Sequence, residues 1–135
     1  MVIMNIEYQG SLRTKSTHQP SGDSLLTDAP IDNKGKGEAF SPTDLLASSL
    51  GSCMVTIMGI KADDLEICID DSEITVTKHM NVDGPRRIVQ LDVTISIPHK
   101  ISSKHMQSLE RSALECPVAK SIHPDLNINF KMTCE

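Results

Sequence analysis

The densest apolar stretch of the chain runs from Ser41 to Ile60, where Leu46, Leu50, Cys53, Ile57 and Ile60 recur at spacings of three and four. That spacing draws one face of an α-helix. Leu45, Met54, Val55 and Met58 widen the stripe until only Thr43, Ser48, Ser49, Ser52 and Thr56, all small, interrupt it. A helix that is apolar nearly all round is a buried one. Its start is also written in the sequence: Ser41 can cap, Pro42 suits the first helical position, and Asp44 complements the dipole. No run approaches the ~18 charge-free apolar residues of a membrane span. The pattern predicts a central core helix, with Cys53 in the middle of its best-buried stripe.

On either side the period changes from helical to alternating. Ile3–Tyr8 and Leu12–Thr17 form a hairpin across Gln9-Gly10-Ser11, and Ser24–Pro30 makes a third strand after the turn Gln19–Asp23. The glycine-rich segment Asp32–Glu38 has neither the GxxxxGK[ST] nor the GxGxxG pattern of a phosphate cradle and reads as a surface loop. Beyond the helix, Leu65–Ile69 begins extended structure. Glu73–Met80 and Arg86–Ile97 pair as a long hairpin through Asn81–Pro85. In the second of these runs Val89, Leu91, Val93, Ile95 and Ile97 alternate with polar residues, giving one dry face.

A second helix starts at Ser102 or Ser103, with Ile101, His105, Met106, Leu109, Ala113 and Cys116 along one face. Pro117 breaks it, because proline cannot continue a helix and pushes the residue before it out of helical geometry. Cys116 then caps a short new helix over 117–122, where backbone N–H groups favour a thiolate. Asp125–Cys134 is the last strand, with Leu126, Ile128, Phe130, Met132 and Cys134 on one face. Two helices, one long and central, against antiparallel sheets make an α+β fold, read as a single domain over 1–135.

Composition narrows the function. Hydrophobic residues at 39% and charged residues at 23% are ordinary for a globular chain, but aromatic residues are only 2%, so base-stacking platforms are not expected. A net charge of −5 removes the electrostatic basis for holding a phosphate backbone, so nucleic acid is excluded. The N-terminal residues lack a basic region followed by an apolar one, which predicts a cytoplasmic protein with reduced thiols and no membrane association. The four cysteines, Cys53, Cys68, Cys116 and Cys134, show no CxxC spacing and no Cys/His arrangement typical of zinc, so no metal site is expected.

Free cysteine is usually a small buried hydrophobe. Here each of two helices carries one on its apolar face, Cys53 and Cys116, and two thiols so placed could cycle through a disulfide. Peroxide chemistry needs a thiolate and a cation beside it. The only arginines are Arg13, Arg86, Arg87 and Arg111, of which the last three read as surface charges. Cys68 reads as an exposed bystander and Cys134 as core or edge filling. His79, His99, His105 and His123 have no partner pattern and read as surface or satisfied histidines.

The segment Ser41-Pro42-Thr43-Asp44-Leu45-Leu46-Ala47-Ser48-Ser49-Leu50-Gly51-Ser52-Cys53 resembles the first-cysteine motif of the OsmC/Ohr family, the osmotically inducible and organic hydroperoxide resistance proteins. Leu114-Glu115-Cys116-Pro117-Val118-Ala119-Lys120-Ser121 resembles its second-cysteine motif, and the order of elements agrees over essentially the whole chain. The resemblance implies an OsmC-like fold in an intertwined homodimer. It also implies an organic hydroperoxide substrate attacked by Cys53, a disulfide closed by Cys116, and Arg13 as the activating cation. No bound cofactor is implied. An external thiol reductant, a dihydrolipoyl group or a small dithiol, would reset the disulfide.

Thr43, Asp44, Leu50 and Ile57 are the candidate binding residues around that site. One departure stands out: the best-characterised hydroperoxidases carry a glutamate directly after the motif proline, orienting the arginine, and this chain has Thr43 there. Asp44 lies about 100° further round the helix. The Pro-Thr-Asp-Leu-Leu form resembles a less characterised branch, which keeps open an alternative: a non-catalytic small-ligand-binding or redox-sensing module on the same scaffold. A purely structural role for both cysteines is the third reading.

Overall fold

Three antiparallel strands, β1 (Met4–Gly10), β2 (Arg13–His18) and β3 (Ser24–Asp28), open the chain in the computed structural model, which describes residues 1–135. The chain divides into two units, residues 1–46 and 47–135. In the first, β2 is the middle strand, and its register sets Glu7 opposite Lys15 and Arg13 opposite Asp28. Opposite charges directly across a ladder favour that register over its neighbours. The strand β3 stops at Asp28, short of the expected Pro30, which begins a 3₁₀ turn over Ile31–Asn33. Proline has no N–H to give the ladder. Met4, Ile6 and Tyr8 share one face of β1 and are all exposed.

The long helix α1 (Pro42–Asp64) starts on a reciprocal cap: Asp44 N–H donates to Ser41 Oγ at 3.1 Å, and Ser41 N–H donates to Asp44 Oδ2 at 2.9 Å. This satisfies two of the amides that a helix start leaves unpaired.

In the second unit the helix buries Ala47, Leu50, Gly51, Met54, Met58 and Ala62. That face is turned from the expected one. Cys53 and Ile57 flank it half-buried, and Ile60 is 57% exposed. The reason is close approach. A Cβ on Gly51 would lie 2.7 Å from Val76 Cγ2 and 3.1 Å from Ile74 Cγ2, so the helix gives its small residues to the sheet. By length and composition alone α1 could cross a membrane; in this unit its buried face packs into the core.

Residues 65–69 form no strand. They end α1 in a Schellman motif, with Ile67 N–H on Ala62 O, Glu66 N–H on Asp63 O, and Glu66 in the left-handed region at φ 54°.

The second sheet has the order β4 (Glu73–Met80), β5 (Ile88–Ile97), β6 (Asn127–Cys134). The hairpin β4–β5 is antiparallel, as expected, but β6 runs parallel to β5. Helices α2 (Ser103–Leu114) and α3 (Pro117–Ser121) supply the crossover that a parallel pair requires. On β5 the buried residues are Ile88, Leu91, Val93, Ile95 and Ile97. Val89 drops out of the expected alternation because the register slips beside it: Met80 faces Ile88 and His79 faces Gln90.

Gly51→Ala is expected to lower stability by about 1 kcal/mol. Overpacking against two stiff β-branched side chains costs about 1–3 kcal/mol, against roughly 1 kcal/mol gained in helix propensity. A urea midpoint equal to or above that of the parent would show that the sheet accommodates the methyl group freely.

Candidate functional site

Cys116 stands at the N-cap of α3 with extended backbone, where the preceding helix ends and Pro117 takes the first helical position. Its Sγ accepts Ala119 N–H at 3.4 Å. The residue is 0% exposed and belongs to the hydrophobic core. Burial pushes its thiol above the ordinary range; the Ala119 amide opposes this, and the neighbouring Cys53 sulfur adds to the rise. The helix terminus therefore does not win, contrary to the expectation of a thiolate there: an enclosed sulfur loses more from desolvation than the amides return.

Cys53, on α1, neighbours the same sulfur, packs against the core and stays half-buried. Two free thiols from two helices thus lie side by side, one reachable and one enclosed. Burial holds the enclosed one toward its protonated form.

Arg13 belongs to the first unit. Its Nε donates to Asp28 Oδ1 at 2.7 Å and its Nη2 to Asp28 Oδ2 at 2.8 Å, a bidentate pair across the β2–β3 ladder. Nη2 also donates to Glu38 Oε2 at 3.0 Å. Asp28 Oδ2 accepts Glu38 N–H at 3.1 Å as well, which ties the segment after β3 back to the strand. Gly35 lets that segment close, since a Cβ there would sit 1.6 Å from the Ala29 carbonyl oxygen.

The Arg13 guanidinium holds the Asp28 carboxyl below its usual range, and His79 does the same for Asp92. A carboxyl whose folded pKa is lowered stabilises the fold above its unfolded pKa, about 3.9, and that stability goes as pH falls through the folded value. Thermal midpoints are expected to drop steeply below about pH 4, and less steeply in Asp92→Asn. Parallel acid limbs in the two proteins would contradict the linkage.

The matching family model is that of OsmC-like protein, over residues 35–131. The chain belongs to the OsmC-like family. A crystal structure of a protein from Psychrobacter arcticus, described as an osmotic stress induced and detoxification response protein, is 50% identical, covers 100% of this chain and 96% of its own, and superposes with a TM-score of 0.91. An organic hydroperoxide resistance protein from Legionella pneumophila is 16% identical over 98% of this chain and 96% of its own, with a TM-score of 0.79. One from Elizabethkingia anophelis, with thiocyanate bound, is 12% identical over 100% and 96%, with a TM-score of 0.80. The last two share the fold. None of the curated proteins matches in sequence.

Within this OsmC-like chain the remaining candidates separate by position. Thr43 and Asp44 take part in the start of α1, where Thr43 Oγ1 pairs with Ser41 Oγ at 3.2 Å. Leu50 is fully enclosed in the core, whereas Ile57 is half-buried beside it. Sequence reasoning missed Asp28 and Glu38. The only signal for Asp28 was the strand register that sets it opposite Arg13, and nothing local singles out Glu38. It also missed the pair His79 Nε2–Asp92 Oδ2 at 2.6 Å and the approach of His99 Nε2 to the exposed Cys68 Sγ at 3.6 Å.

Proposed function

We propose that this OsmC-like protein is a thiol-dependent peroxidase for organic hydroperoxides. The observation that carries the reading is the Cys53–Cys116 sulfur pair with its unequal exposure. Cys53 thiolate attacks the outer peroxide oxygen, the O–O bond breaks, and the substrate leaves as an alcohol after taking up a proton. The Cys53 sulfenic acid then condenses with the Cys116 thiol, releasing water and closing a disulfide. An external dithiol reduces it and is itself oxidised to a disulfide. Arg13 is the cation that polarises the peroxide and steadies the thiolate.

The working unit in this reading is a cytoplasmic homodimer. Its support is the exposed apolar face of β1, Met4, Ile6 and Tyr8, for which the chain itself provides no cover.

Stopped-flow consumption of cumene hydroperoxide by pre-reduced protein, followed by thiol counting, tests the reading. Fast oxidation with loss of two thiols per chain, mapped to Cys53 and Cys116, is expected. Slow oxidation with all four thiols retained would overturn it in favour of a ligand-binding module.

A further inference from the structure

We propose that Asp28 is the positioning residue for Arg13, with Glu38 as a second, solvent-facing brace; the functional consequence rests on the peroxidase reading above. A guanidinium on a flexible stem is useful to a reaction only if its plane is fixed. Asp28 fixes it by a fork-to-fork pair through Nε and Nη2, leaving Nη1 outside both bonds.

The Asp28 carboxylate is itself immobile. Its side chain is 1% exposed, its N–H donates to Phe40 O at 3.1 Å, and the β2–β3 ladder sets its backbone opposite Arg13. Arg13 keeps 28% of its side chain accessible, so the anchored group still meets solvent or a ligand. Glu38 differs in kind. It is 64% exposed and reaches Nη2 by a single bond, so added salt screens it, whereas the enclosed Asp28 pair resists screening. The triad carries one positive and two negative charges. How much negative charge bears on the guanidinium therefore depends on whether Glu38 is engaged.

The experiment has two arms. In the first, the second-order rate of Cys53 oxidation by cumene hydroperoxide is measured in the full-length chain and in D28N, E38Q, R13K and R13K/D28N. D28N is expected to lose roughly 10-fold or more, and E38Q about 2- to 3-fold, shrinking at high salt. In the R13K background D28N is expected to add little, because the residue acts through the guanidinium. An equal loss from D28N with and without Arg13 would overturn the proposal. Should D28N not fold, D28E, which keeps the charge but moves it outward by one methylene, takes its place; a parental rate in D28E also overturns it.

The second arm needs no activity. The Arg13 Nε–H resonance is expected to be sharp and slowly exchanging near neutral pH, and to broaden when Asp28 is protonated in acid. An Nε–H already in fast exchange at neutral pH would overturn the positioning role. If the parent chain consumes no hydroperoxide, the peroxidase reading fails, and this arm alone decides the anchoring of Arg13.

Discussion

Replacing Cys53 by serine is expected to lower hydroperoxide consumption by roughly three orders of magnitude or more, to the level of the uncatalysed reaction. A serine hydroxyl beside no base is not ionised at neutral pH and forms no sulfenic acid. Cys116→Ser is expected to behave differently. One equivalent of peroxide should be consumed at near the parental rate, after which the protein stalls with Cys53 oxidised and open to trapping by a sulfenic-acid reagent. The comparison is clean because serine is a good N-cap, so the start of α3 at position 116 survives the change. Cys68→Ser and Cys134→Ser should leave the loss of two thiols intact. Steady turnover in Cys53→Ser would sink the assignment, as would multiple turnovers with a dithiol in Cys116→Ser.

That both cysteines could face one core was legible in the sequence; whether the sulfurs meet, and their physical state, was not. Proline after Cys116 announces a helix break, and helical spacing announces α1, so both cysteines could be placed on helices facing one core. Which face of α1 is buried could not be read from apolar spacing. The helix is apolar on nearly every side, and the choice fell to Gly51, whose small size lets α1 approach Ile74 and Val76. Hydrophobicity ranks leucine above glycine; close approach ranks them the other way.

The same limit appears at Cys116. Sequence gives the helix terminus that favours a thiolate, while only the fold gives the enclosure that outweighs it. Residues 65–69 illustrate a third case, in which an alternating apolar pattern was taken up by the helix cap instead of a ladder. Around Arg13 the missing information is long-range. Asp28 and Glu38 stand 15 and 25 positions away, and strand register and loop closure bring them together. Thr43 at the position after the motif proline therefore does not leave Arg13 without carboxylate partners.

Leu50→Ala is expected to cost about 2–5 kcal/mol, the range for emptying a leucine site in a packed core. Leu50 is 0% exposed, on the buried face of α1 and among the core residues that include Met54, Leu91 and Cys116. Against a total stability of about 5–15 kcal/mol that is a large share, and a fall in the thermal midpoint of roughly 10 °C or more should accompany it. Ile57→Ala, at a half-buried position, should cost less, about 1 kcal/mol. The contrast decides what these two residues do. If Leu50 were a wall of the substrate pocket, its truncation would raise KM for a bulky hydroperoxide while leaving the denaturant midpoint close to the parent. If it is core, the midpoint falls first, and the rate of Cys53 oxidation changes only as far as the loosened helix lets the Cys53 sulfur drift from that of Cys116. Ile57 should show the opposite balance, a small stability cost with the larger effect on KM, because part of it remains exposed to a ligand. Equal midpoints for Leu50→Ala and the parent would place residue 50 in the pocket after all.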